Sequence, residues 1–207
     1  MKVFEPHPKI KVYDNVLSFN DTLIVEEQCL DNDYIIGWRD LPQSEDQFLH
    51  SRWEGSDWTN AVQSGEGTHF LNILGSSQPF ADLDGRVILR SIINCNTMAD
   101  SMTTHSHLQL DVMLYYANRE WKPEWGGETV FYDEGGKDII YTSPYVPNRM
   151  IFFAGELPHR YNPPSRVAPK FRFSISTFFE RTSEEEPVEE EPKPSENKPD
   201  ISLRNIL

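Results

Sequence analysis

The rhythm of apolar and polar positions changes near residue 84. Beyond it come short apolar runs: "RVILRSIIN" (86–94), "TVFYD" (129–133), "DIIYT" (138–142), "NRMIFFAG" (148–155) and "KFRFSISTFF" (170–179). They have strand length, are rich in β-branched and aromatic residues, and are separated by turn signals such as "EWGGE", "DEGGKD", "SPYVPN" and "YNPPS". Roughly seven or eight such strands predict a sandwich or barrel. "RVILRSIIN" is almost continuously apolar, which predicts burial on both faces.

Before residue 80 the pattern is mixed. "KIKVYDN" (9–15) reads as a short strand. "SFNDTLIVEEQCL" (18–30) carries Ser and Asn cap candidates, with Leu23, Ile24 and Leu30 at roughly helical spacing. Residues 40–66 are polar and broken by glycine and proline, which predicts a surface loop with the character of a lid. "HFLNILG" (69–75) reads as a helix ending at Gly75. The predicted organisation is a helical and loop support over residues 1–80, a β core over 81–182 and a tail over 183–207.

Composition adds limits. The 207 residues suit one domain with extensions, and the net charge is −14. Part of that charge belongs to the tail, "SEEEPVEEEPKPSENKPD", whose acidic, proline-rich composition predicts disorder before the apolar tip "ISLRNIL". That tip reads as a dangling terminus or as a docking motif for a partner. Residues 1–182 remain acidic, which argues against a broad nucleic-acid surface. Two distant cysteines, Cys29 and Cys95, predict free thiols in a reducing compartment. No apolar leader or long apolar run is present, so a cytoplasmic protein with no membrane contact is expected.

Candidate chemistry begins at "TTHSHLQLD" (103–111). On a strand, His105, His107, Gln109 and Asp111 would share one face. A solvated face carrying two histidines at i, i+2 is unusual, because such faces favour Lys, Glu and Thr. Paired imidazoles projecting in parallel can chelate one ion, and His159 in "ELPHRY" is the candidate third ligand. Ligand type alone leaves Zn, Fe, Ni and Cu open. His7, His50 and His69 have no such context. On "RFSISTFF", Arg172, Ser174 and Ser176 share the face opposite Phe171, Phe173 and Ile175.

The order and spacing of "LYYAN" (114–118), "EWGGETVFYDE" (124–134), "VPNRMIFF" (146–153), "LPHR" (157–160) and "RFSISTFF" (172–179) resemble the 2-oxoglutarate/Fe(II)-dependent oxygenases. The resemblance is nearest to their prolyl-4-hydroxylase-like branch of bacteria and phages. It implies a double-stranded β-helix, a jelly-roll barrel like that of the cupins. It also implies Fe(II), 2-oxoglutarate and O2, with ascorbate assisting, and hydroxylation coupled to oxidative decarboxylation of the 2-oxo acid. His105 and His159 fall on the family's ligand histidines. Arg172 falls on the base that grips the distal carboxylate, a role suited to a guanidinium fork. Ser174, Tyr116 and Asn94 are implied as further contacts. Trp121, Trp125 and the 40–66 loop could shape the substrate mouth.

One element departs from the family pattern. The family carries His-x-Asp, and here His107 stands in place of the aspartate. Three outcomes are open: His107 ligates, Asp111 reaches in through a bend, or the site binds without turnover. A second resemblance, of "HSHLQLD" and "GELPHRYN" to cupin motifs, would make His105, His107, Asp111 and His159 all ligands. The leading expectation is a hydroxylase acting on a peptide or small molecule. The alternatives are a cupin-type metal protein or a degenerate barrel that presents its acidic tail to a partner.

Overall fold

The structure is a computed structural model that describes residues 1–38, 48–54, 87–100 and 103–181. The predicted helix at 69–75, most of the 40–66 loop, the acidic tail and both proposed boundaries, near 80 and 182, lie outside the described residues.

In chain order the elements are β1 (Lys2–His7), β2 (Ile10–Asp14), α1 (Phe19–Asp31), β3 (Ile35–Trp38), β4 (Phe48–Glu54), β5 (Ile88–Asn96), β6 (Leu110–Tyr116), β7 (Thr129–Tyr132), β8 (Ile139–Ser143), β9 (Arg149–Ala154), β10 (His159–Tyr161) and β11 (Arg172–Glu180). They form an antiparallel eight-stranded sheet, ordered β1-β2-β9-β6-β11-β5-β4-β3, and a three-stranded sheet, β10-β7-β8. This is the predicted mostly-β, double-stranded β-helix architecture.

Period-two alternation sorts the large sheet's side chains into two cores. Val112, Leu114 and Tyr116 of β6, Ile151 and Phe153 of β9 and Phe178 of β11 face the small sheet, meeting Phe131 of β7. Met113, Tyr115, Met150, Phe173 and Ile175 face the other way, onto Val25 and Cys29 of α1. "RVILRSIIN" is buried on both sides as expected, with Ile92 and Ile93 in opposite cores.

The helix forms where predicted, and Ser18 caps it by accepting a hydrogen bond from the Asp21 amide at 3.2 Å. Its buried face differs from the expected one. Thr22, Val25 and Cys29 turn inward, whereas Ile24 and Leu30 are exposed. The stripe spaced three and four residues apart is the one that meets the sheet.

The N-terminal stretch, expected to be helical and loop support, contributes strands to both edges of the large sheet, with β1 and β2 at one and β4 and β3 at the other. Residues 48–54, read as loop, are strand β4, paired along β5 from Leu49↔Cys95 to Glu54↔Arg90. Polar composition concealed the strand because, over residues 48–52, the deeply buried residues are the alternate ones, Phe48 and His50. Both cysteines are buried free thiols, and burial pushes Cys95 up to about 12. No described helix is long and apolar enough to cross a membrane.

Candidate metal and dicarboxylate site

"TTHSHLQLD" is not a continuous strand. His105 forms an isolated antiparallel bridge with His159, through His105 N–H to His159 O at 3.0 Å and the reverse bond at 2.9 Å. The chain then turns. Leu110 N–H donates to His107 O at 3.3 Å, Gln109 has φ of 64°, and β6 begins at Leu110. The expected common face of His105, His107, Gln109 and Asp111 is therefore broken at the turn.

The turn still brings the histidines together. Candidate ligand atoms of His105, His107 and His159 all lie within 4.8 Å of one another, with ring centroids 4.6–5.2 Å apart. Asp111 lies outside this cluster. Its Oδ1 accepts from Arg181 Nε at 3.2 Å and Nη2 at 3.1 Å. The expected alternatives with Asp111 as a ligand lose their geometric basis, because the strand that begins at Leu110 carries that carboxylate to Arg181.

Two of the imidazoles are oriented by main chain. His105 Nδ1 lies 3.0 Å from Thr103 O and His159 Nδ1 lies 2.8 Å from Leu157 O. Donation from Nδ1 to these carbonyls leaves each Nε2 as a lone-pair donor, the arrangement that tunes ligand histidines. His107 instead packs edge-on against Phe178, with centroids 4.8 Å apart. Burial, then the neighbouring imidazoles, hold His107 down at about 2 and His159 at about 3. Neutral imidazoles need lose no proton before binding a cation.

The same cavity, about 60 Å³ in volume, runs to Arg172. Arg172 is 1% exposed. Its Nε donates to Gly127 O at 2.9 Å, and its Nη1 donates to Asn96 Oδ1 and Ser174 Oγ, both at 3.2 Å. Its Nη2 is buried with no hydrogen-bond partner, and among the described residues no carboxylate pairs with it. Instead the rings of Tyr116, Tyr145 and Tyr161 surround the guanidinium, with Cζ 5.0–5.4 Å from their centroids. A buried, unspent donor on a cation is the complement of an anionic oxygen.

Gly127 explains the double glycine before β7. It has φ of 80°, and an added Cβ would sit 3.1 Å from Trp121 Cζ2 and 3.3 Å from Arg172 Cδ and Nε. Trp121 donates Nε1–H to Gly126 O at 2.8 Å and packs on Tyr145, so it supports the cage and does not line the cavity.

The other expected residues divide. Asn94, Ser174 and Ser176 line the cavity, and Asn94 Nδ2 donates to Ser176 Oγ at 3.2 Å. The Tyr116 phenol donates to Thr129 Oγ1 at 2.8 Å, and Thr129 is the residue of that pair lining the cavity. His7 and His50 stand apart from the triad, and His69 lies outside the described residues. Sequence reasoning missed Tyr161, Asn96 and Thr129. Tyr161 was findable: it follows His159 by two residues on β10, hence shares its face about 7 Å further on. Its hydroxyl accepts from Asn96 Nδ2 at 2.7 Å, which joins the histidine wall to the arginine's hydrogen-bond network.

Residues 98–180 match the model of the 2OG-Fe(II) oxygenase superfamily. The segment that carries the triad and Arg172 thus matches the 2OG-Fe(II) oxygenases, a class of enzymes that uses Fe(II), 2-oxoglutarate and O2. Its fold is shared with a prolyl hydroxylase from Trichoplax adhaerens, solved with a peptide fragment of the hypoxia-inducible factor oxygen degradation domain. That match has 16% identity, TM-score 0.58 and 83% of each chain covered. A prolyl-4-hydroxylase from Pseudomonas putida is similar at 13% identity and TM-score 0.53, covering 84% of this chain and 93% of that one. A 2OG-Fe(II) oxygenase family oxidoreductase from Burkholderia pseudomallei gives 13% identity, TM-score 0.56, and 84% and 86% coverage. No curated protein matches.

Proposed function

We propose that His105, His107 and His159 hold the iron of this oxygenase, and that Arg172 binds the distal carboxylate of 2-oxoglutarate. The observation carrying the reading is the pairing of a convergent histidine triad with a buried arginine donor lacking a partner in one cavity. The donor set suits Fe(II), since imidazole is an accepted ligand and the three candidate donor atoms lie within 4.8 Å of one another. Without the carboxylate of the family's usual set, the bound cation keeps one more unit of positive charge.

When bound, the metal supplies the oxygen chemistry that couples decarboxylation of the 2-oxo acid to attack on a C–H bond. The protein's own contribution is positioning and dryness. Arg172 Nη2 offers its free N–H to the carboxylate, Ser174 adds a hydroxyl beside it, and the tyrosine cage holds the guanidinium in place. Asn94 and Thr129 are further polar contacts on the cavity wall. Ile92, Leu114, Phe153 and Phe178 exclude water around them. The substrate is a peptide or a small molecule, neutral or basic in keeping with a net charge of −14.

Purified protein supplied with Fe(II), ascorbate and 2-oxoglutarate should form succinate. Arg172→Ala should weaken 2-oxoglutarate binding by about 100-fold, the loss of charge-assisted bonds of about 3 kcal/mol, while metal affinity stays unchanged. Anaerobic titration, following the weak visible absorption that develops as 2-oxoglutarate joins the metal, measures it. Normal co-substrate affinity in that variant would remove Arg172 from the role.

A further inference from the structure

His107 differs from its two partners. Among the described residues no hydrogen bond orients its ring, whereas His105 and His159 are each tied to a carbonyl. Its place depends on its main chain. His107 N–H donates to Gly155 O at 2.6 Å, and Gly155 N–H donates to Leu110 O at 2.8 Å, closing the 107–110 turn onto the segment after β9. The closure is tight, since a Cβ at Gly155 would fall 2.5 Å from His107 O and 2.6 Å from Leu110 O.

The two residues immediately after this closure, Asp111 and Glu156, are held by one guanidinium. Arg181, the residue after β11, binds Asp111 Oδ1 through Nε and Nη2, and pairs with Glu156 Oε2 through Nη2. Lys9 reaches the other oxygen of Glu156 at 3.2 Å and Glu134 at 2.7 Å. The Asp111 side chain is only 9% exposed and that of Glu156 26%. Two carboxylates sharing one cation repel each other once it is gone, and Asp111 is the more buried of the two. That repulsion would act between the start of β6 and the segment after β9, the two strands of chain that the Gly155 bonds join.

We propose that Arg181 is a positioning residue for the metal site, setting the place of His107 through Asp111 and Glu156. The inference rests on His107 being a ligand, as in the reading above. It gives Asp111 a role it could not fill as a ligand, and it explains how a ring without a hydrogen bond is held at the triad.

The test is Co(II) titration of the metal-free full chain, followed by visible d–d absorption and calorimetry, on the parent and Arg181→Met, Arg181→Lys, Glu156→Gln and His107→Ala. Arg181→Met should weaken Co(II) binding by about 10-fold and move the spectrum toward that of His107→Ala. Arg181→Lys should restore most of the affinity. Glu156→Gln, which leaves the Arg181–Asp111 pair intact, should bind Co(II) within about twofold of the parent; combined with Arg181→Met it should recover only part of the lost affinity, because the repulsion is gone but Asp111 is no longer held by Arg181. A parental spectrum and affinity in Arg181→Met, with only a lowered melting temperature, would overturn the inference. If Arg181→Met does not fold, the Arg181→Met/Glu156→Gln protein decides: it must bind more weakly than Glu156→Gln alone, and equal binding overturns the inference. His107→Ala separates the failures. Parental affinity there removes the three-histidine reading itself, whereas weakened affinity there beside parental Arg181→Met removes only the role of Arg181.

Discussion

The two ends of the cavity are built in opposite ways. At the histidine end, the ligand set is assembled by main chain: an isolated bridge places His105 beside His159, and a turn closed on Gly155 delivers His107. At the arginine end, Arg172, Ser174 and Asn96 stand on regular strands, and besides the Gly127 carbonyl it is side chains that do the holding: Asn96, Ser174 and three tyrosine rings around one guanidinium. One end gathers three imidazoles, a donor set suited to a cation; the other presents a guanidinium, suited to an anion. A ligand that is metal-binding at one terminus and a carboxylate at the other spans this polarity, which is the shape of the chemistry the family uses.

The sharpest way to break the comparison is at the metal end. His159→Ala removes a proposed ligand while keeping the main-chain bridge to His105, so Co(II) affinity should fall by more than the roughly 100-fold of an outer-contact change. Calorimetric titration of the metal-free protein reads this, and affinity close to parental would mean the triad is not the site. At the other end, Gly127→Ala puts a Cβ against Trp121 and Arg172 at a φ of 80°. It should cost about 1–3 kcal/mol of stability and weaken 2-oxoglutarate binding while Co(II) affinity stays parental. Loss at both ends together would show that the two are not separable. The smallest effect is expected for His107→Asp, which supplies the family's usual carboxylate from the same turn. Its metal affinity should stay within about tenfold of the parent, since one ligand replaces another. Complete loss of binding would mean that the turn presents an imidazole where the shorter carboxylate cannot reach.

The arginine end was legible along the chain because period two governs it. Arg172, Ser174 and Ser176 alternate with Phe173 and Ile175, and the structure keeps that division. The histidine end was only half legible. His105 and His107 were visible as a pair, but strand periodicity extended their face to Asp111, and the turn at Gln109 cancels that extension. A positive φ at a glutamine carries no sequence signal of its own. β4 was hidden for a related reason. Its "SRWE" reads as polar loop, and its strand character comes from pairing with β5, a partner almost forty residues away in sequence.

By itself the sequence determined strands β2, β5, β7, β8, β9 and β11, the helix with its Ser18 cap, the sorting of β11 into wet and dry faces, and the residue types of the site. These follow from local spacing, and local spacing is a property of neighbours along the chain. Tertiary structure alone decided which imidazoles converge, that Asp111 turns to Arg181, and that Tyr161 and Asn96 connect the two ends. Each depends on contacts between segments far apart in the chain, whose register is set by sheet pairing and by the close approach of main chains at Gly127 and Gly155.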